Sequence, residues 1–175
     1  KLIQSAQVGT FESSDIMILI DPAEKGAGRD IELNSNETIY VWYSDAYFTD
    51  NGNENDDIHN QAIVKKFNGI AWETVGGWYI SSWSSFYNDL EINSSDVPYI
   101  AYQDFLNDWK TTVKKFNGST WETVWSVWFS AGAAWYMKLN FDNFNVPYVI
   151  YSDYINLNKA TVKKFNGSAW ETVWS

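Results

Sequence analysis

The tryptophans set among asparagine, aspartate and serine are the residues of this chain best suited to hold a ligand. Trp83 stands among Ser81, Ser82, Ser84 and Ser85, with Asn88 close behind, and Trp109 follows Asn107 and Asp108. An indole stacks on the apolar C–H face of a sugar, while amides, carboxylates and hydroxyls bond its hydroxyl groups. Trp78, Trp128 and Trp135 share this promise, because they lie outside the repeated phrases of the chain, in connections or loops where binding residues gather. The competing reading is that these rings pack against a neighbouring unit or a second subunit. Asn51, Asn53, Asn55 and Asp57 offer oxygens at alternate positions, loosely like a calcium loop. The glycine there, Gly52, is misplaced and no distal glutamate follows, so a solvated acidic hairpin tip is the plainer reading. No cofactor is expected, and calcium is the one candidate.

Catalysis finds little to work with. His59 is the single histidine, and the chain carries no nucleophile elbow, phosphate loop or HExxH sequence. The absence of cysteine excludes disulfides, thiolate metal sites and a cysteine nucleophile. Asp45, Asp104 and Asp153 recur at one position of each repeat. One active site needs a unique constellation, so these carboxylates are expected to bond turn backbone instead. The chain is therefore not expected to be an enzyme. Four Asn-x-Ser/Thr sequons, at Asn36, Asn93, Asn117 and Asn166, are glycosylation candidates if the source modifies them.

Charge and composition narrow the partners. The net charge is −10 and Arg29 is the single arginine, so the surface repels nucleic acid. No apolar run reaches the length of a membrane-spanning helix. Eleven Trp, eleven Tyr and ten Phe make 18% of the 175 residues aromatic, which favours strands. Abundant Asn, Ser, Thr, Tyr and Trp with little Arg leads us to expect a secreted or cell-surface protein. The chain opens at Lys1 rather than Met, which suggests a removed leader or a piece of something longer.

The elements that must position these residues are repeated. The phrase VKKFNG-x-x-WETV starts at Val64, Val113 and Val162, a period of 49 residues both times. A second phrase keeps the same spacing: VPYIAYQD from Val97 and VPYVIYSD from Val146, with a degenerate copy, TIYVWYSD, from Thr38. Such a period marks one supersecondary unit stacked several times. The last unit reads as four strands, over Trp135 to Phe141, Val146 to Tyr151, Thr161 to Phe165 and Ala169 to Val173. Pro147 sits at a strand start, where a missing N–H is tolerated. Asn166-Gly167 is a strong hairpin signal. A two-residue turn at Asn117-Gly118 predicts Phe116 opposite Ser119, and Lys114 opposite Trp121 with its stem on the indole. Val113 and Phe116 fall on opposite faces, so both faces are apolar. Trp72, Trp121 and Trp170 are expected in the core between units.

Unit boundaries follow from the spacing. Residues 1–29 form a lead-in strand, Lys1 to Val8, and an enlarged connection; residues 30–76, 77–125 and 126–175 form three units. Ten extra residues enter the first unit around Asp50 to Asp57.

The paired phrases PY-[IV]-x-Y-x-D and VKKFNG-x-x-WETV resemble the short-blade β-propeller repeats of bacterial extracellular and surface proteins, over roughly residues 30 to 174. FNG-[SI]-x-W also resembles the Asp-box hairpin of sialidases, but the defining Ser-x-Asp is missing and no sialidase activity is carried over. The resemblance implies an all-β fold of three four-stranded antiparallel propeller blades, with an extra N-terminal strand. Propellers close with about four to eight blades, so completion by oligomerisation or by a longer chain is expected. The expected function is non-catalytic binding of glycans, as in lectins and adhesins. The alternative is a structural subunit of a fibre or surface layer, assembled through blade or strand contacts. Self-association is expected either way.

Overall fold

The computed structural model describes residues 29–48, 58–126 and 128–175. The lead-in strand and the insert that holds Asn51, Asn53, Asn55 and Asp57 lie outside the described residues. Among the described residues, twelve strands form three four-stranded antiparallel sheets, each running through the chain in order. The first holds β1 (Arg29–Leu33), β2 (Ile39–Phe48), β3 (Ile58–Phe67) and β4 (Trp72–Thr74). The second holds β5 (Ser85–Ile92), β6 (Pro98–Asp104), β7 (Lys110–Phe116) and β8 (Trp121–Thr123). The third holds β9 (Ala134–Phe141), β10 (Pro147–Asp153), β11 (Lys159–Phe165) and β12 (Trp170–Trp174). The fold is all-β, an arc of three propeller blades.

Strand alternation builds the arc. Along β6, Ile100 and Tyr102 turn towards the first sheet and cluster with Trp42, Val64 and Leu90. The intervening Ala101 turns the other way and clusters with Leu139, Val149 and Tyr151 of the third sheet. Side chains one residue apart thus feed two cores, as the period of two requires. Val113 and Phe116 divide in the same manner, each in a different cluster.

Each joint is fastened by the repeated tryptophan. The Trp121 indole N–H donates to the Val75 carbonyl of the preceding blade at 2.7 Å, and Trp170 donates to the Val124 carbonyl at 3.3 Å. The first joint is the closer one, and Gly76 is the reason. Its φ is +74°, and an added Cβ would stand 2.7 Å from Trp121 Cδ1 and 2.9 Å from Phe116 Cε2. The matching residue of the next blade is Trp125, at φ 71°. There the longer bond goes with a Trp170 ring stacked on Phe129 at 4.2 Å and 14°. Gly76→Ala is expected to cost about 2–3 kcal/mol, combining left-handed strain with overpacking. Chemical denaturation checks this, and a midpoint unchanged from the parent would contradict it.

The hairpin register differs from the sequence expectation. Phe116 pairs with Trp121, Lys115 with Glu122 and Lys114 with Thr123. Asn117 is the cause. Its Oδ1 accepts the N–H groups of Ser119 and Thr120 at 3.0 and 2.9 Å, and its own N–H donates to the Thr120 carbonyl at 3.1 Å. The side chain mimics a turn of backbone, so the loop takes in Asn117 to Thr120 and not two residues. A shift of two leaves each side chain on its expected face. Lys114 is paired with Thr123 rather than Trp121, and its ammonium donates to the Ile80 carbonyl at 2.6 Å.

Candidate functional site

The loops joining the second and third strands of blades two and three lie beside the starts of β5 and β9. Phe105 N donates to the Ser84 carbonyl at 3.2 Å, Ala134 N to the Trp109 carbonyl at 3.0 Å, and Tyr154 N to the Ala133 carbonyl at 3.1 Å. Aromatic rings concentrate at this end. Trp109 is flanked by Phe105 at 4.7 Å, edge to face, and by Phe86 at 5.4 Å. Trp135 meets Tyr154 edge to face at 5.5 Å. Nearer the inner strands, Tyr87 meets Tyr136 at 4.9 Å.

The backbone beneath these rings is unusual. Asp108 and Trp109 take φ values of 54° and 61°, the left-handed pair that closes the loop; Leu157 and Asn158 take 55° and 61° in the matching loop. Asparagine suits such a position. A tryptophan there costs about 1–2 kcal/mol of backbone strain and leaves its ring 39% exposed. Tyr87 and Tyr136 are also left-handed, at 51° and 54°, where β5 and β9 bulge. Exposed aromatic side chains held on a strained backbone point to use of those side chains.

The five sequence candidates divide into two groups. Trp109 and Trp135 belong to the aromatic end, and the half-buried Trp83 precedes Ser84 there. Trp78 and Trp128 do not join them. Trp78 lies between two bonds to β3, from Val75 N to the Val64 carbonyl and from Ile80 N to the Ala62 carbonyl, both 2.9 Å. The residues between these bonds bulge outward, so Trp78 projects from the outer edge of its blade, and Trp128 occupies a similar bulge beside β7.

The serines around Trp83 are mostly committed elsewhere. Ser81 Oγ donates to the Trp83 carbonyl at 2.7 Å, and Ser84 Oγ accepts the Asn60 N–H at 3.1 Å. Both serines are buried. Asn107 donates to Asp104 Oδ2 at 2.6 Å, which leaves Asp108, exposed and 3.9 Å from Lys110, as the loop's outward carboxylate. Asp104 also accepts the Thr112 hydroxyl at 3.2 Å. Asp153 accepts the Ile155 N–H and the Thr161 hydroxyl, each at 3.2 Å. Asp104 and Asp153 therefore hold their loops. Asn88 is buried with both amide atoms unpartnered among the described residues.

Sequence reasoning passed over Phe86, Phe105, Tyr154, Tyr87 and Tyr136. A signal existed: Phe86 stands 49 residues before Trp135, and Phe105 49 before Tyr154. Aromatic character persists at these loop positions although the identities change. Of the sequons, Asn93, Asn117 and Asn166 have side chains bonded within their own turns. Asn36 is exposed, and among the described residues its side chain has no such bond.

A carboxylate cluster lines the inner strands. Asp30 and Glu32 of β1 and Asp89 and Glu91 of β5 share the single Lys138 of β9. The buried Asp89 accepts from Lys138 Nζ and from Leu139 N, the latter at 2.6 Å. Burial, with Glu32, Asp89 and Asp30 adding repulsion, pushes the Glu91 carboxyl up to about 7. The folded state thus keeps a proton that the unfolded chain releases. This stabilisation is full below about pH 4.5 and is lost as pH rises through about 7. Melting temperature is expected to fall between pH 5 and pH 8. Glu91→Gln should flatten that fall and add about 1 kcal/mol at pH 8, allowing for solvent screening. A parent and variant with parallel pH profiles would refute the assignment. Among the described residues, no group of three or more His, Asp or Glu is arranged to hold a metal, and no helix is long and apolar enough to cross a membrane.

Comparison with known proteins adds little. A family model for the malonate decarboxylase delta subunit (MdcD), an ACP, matches residues 3–40, well under half of the chain. No curated protein matches. Six chains of solved structures match. One is a fucose lectin from Kordia zhangzhouensis in complex with methyl-fucoside, at 13% identity and a TM-score of 0.48, with 85% of this chain and 99% of that one covered. A likeness of that degree carries no argument about ligand.

Proposed function

We propose that this protein is a non-catalytic carbohydrate-binding module that works outside the cell or on its surface. The observation that supports this reading is Trp109: a half-exposed indole on a left-handed backbone, braced by Phe86 and Phe105, beside the outward carboxylate of Asp108. A rigid aromatic plane with a polar acceptor at its edge suits the apolar face and hydroxyls of a sugar ring. The net charge of −10 favours neutral glycans over sulfated or sialylated ones. Trp135 and Tyr154 offer a second platform of the same kind in the next blade. An array of immobilised neutral and acidic glycans tests the reading. Selective binding to a neutral class, competed by its free sugar, is expected. No binding above a carrier-protein control at micromolar protein would overturn it.

A further inference from the structure

The two aromatic platforms are joined to one another through backbone. The Ala134 N–H donates to the Trp109 carbonyl at 3.0 Å, so the second-blade loop is fastened to β9 one residue before Trp135. One such bond and one peptide step hold the Cα atoms of Trp109 and Trp135 within about 10 Å of each other. The Ala133 carbonyl accepts the Tyr154 N–H at 3.1 Å from the other side. A segment of three residues, Ala133 to Trp135, therefore carries both loops. Gly132 lets the third-blade loop settle there. A Cβ at that position would stand 2.4 Å from Ile155 Cγ1, the side chain that follows Tyr154.

The rings follow the backbone. Phe105, Trp109, Trp135 and Tyr154 form a row, with ring contacts of 4.7 and 5.5 Å inside each blade and the Trp109–Ala134 bond between the blades. Phe105, Trp109 and Tyr154 are exposed and Trp135 is half-buried, so the row is open to solvent along its length. The exposed side chains of Asp108 and Asn158 border it with polar groups. Asn158 holds the position of Trp109 in the third blade, and its loop closes through the same left-handed pair. Loop closure thus does not require a ring at this position. Trp109 is the ring nearest the next blade.

We infer that the two platforms form one elongated site across the joint of the second and third blades, and that its ligand is an unbranched neutral oligosaccharide of two or more units. The inference rests on the glycan-binding reading above, and it differs in giving the chain one extended site in place of two small ones. Once one sugar lies on Trp109, the glycosidic bond delivers the next to Trp135. The loss of translational and rotational freedom is then borne once for both contacts.

Calorimetric titration of the 175-residue chain with cello-, manno-, xylo- and N-acetylchito-oligosaccharides of one to six units tests this. In at least one series the trimer should bind about tenfold or more tighter than the monomer, with one molecule bound per chain. Trp109→Ala and Trp135→Ala should each abolish that dependence on length, and Trp109→Phe should keep it. Circular dichroism should show all three variants folded. Affinity indifferent to length overturns the single site and leaves the glycan-binding reading standing. So do two monosaccharides per chain with each alanine variant removing one, and so does array binding confined to branched or single terminal sugars. No binding in the titrations or on the array overturns both.

Discussion

Trp170→Ala is expected to destabilise the protein by about 3–5 kcal/mol, the range for truncating a buried aromatic side chain. The ring is 7% exposed. It stacks on Phe129, tilts against Phe165 at 5.6 Å and donates to the Val124 carbonyl. Truncation removes the ring contacts and leaves a carbonyl without its donor. Trp170→Phe keeps most of the packing and loses the N–H, so it should cost about 1 kcal/mol. Trp72→Ala should cost less than Trp170→Ala, because the Trp72 ring is half-buried where Trp170 is buried. Urea denaturation followed by tryptophan fluorescence separates these cases. Equal losses at positions 72 and 170 would show that the joint is not what the ring stabilises.

Trp109→Ala is expected to weaken binding of the glycan selected on the array by about 1–3 kcal/mol, roughly five- to 150-fold, with no loss of fold. Stability should fall only slightly, since alanine keeps the Cβ that carries the left-handed strain and the half-exposed ring gives up its contacts with Phe86 and Phe105. A large loss of affinity with a small loss of stability distinguishes a binding residue from a packing one. Trp135→Ala tests the second platform in the same way. Trp78→Ala, on the outer edge, should leave affinity unchanged. Titration calorimetry paired with thermal melts measures both quantities. Undiminished affinity in Trp109→Ala and Trp135→Ala would remove the aromatic end from consideration.

The repeat made the architecture legible. Alternation in PYIAYQD divides Ile100 and Tyr102 from Ala101, and the structure sends those residues into two different cores. The turn pair Asn117-Gly118 marked the hairpin correctly but not its length. A side-chain amide that takes two backbone N–H groups lengthens the loop, and no count of residues reveals that bond. The site was legible only in part. Trp109 and Trp135 stood out because they fall outside the repeated phrases, and Trp78 and Trp128 stood out for the same reason. What separates the pairs is the path of the connection along β3 and β7, fixed by long-range bonds such as Ile80 N to the Ala62 carbonyl. The serines near Trp83 illustrate the same limit. Their hydroxyls look available in the sequence, but they close a joint to a strand some twenty residues earlier.

The sameness of the Trp–carbonyl bond has a consequence for how the chain finds its fold. Both bonds span 46 residues, and every unit offers the same indole and the same carbonyl. A mispairing that skips one unit closes a loop about twice as long, which costs only about 0.6 kcal/mol more in loop entropy. Chain length thus discriminates weakly against the wrong neighbour, and the joint's main bond does not discriminate at all. Selection falls to the parts that have diverged. The two turn pairs use different chemistry, Ser35 with a carboxylate in one joint and Ser94 with an amide in the other. Gly76 admits a close Trp121, whereas Trp125 in its place holds Trp170 further off. The small differences between near-identical blades act as addresses, and making the blades more alike would raise the population of wrongly ordered ones.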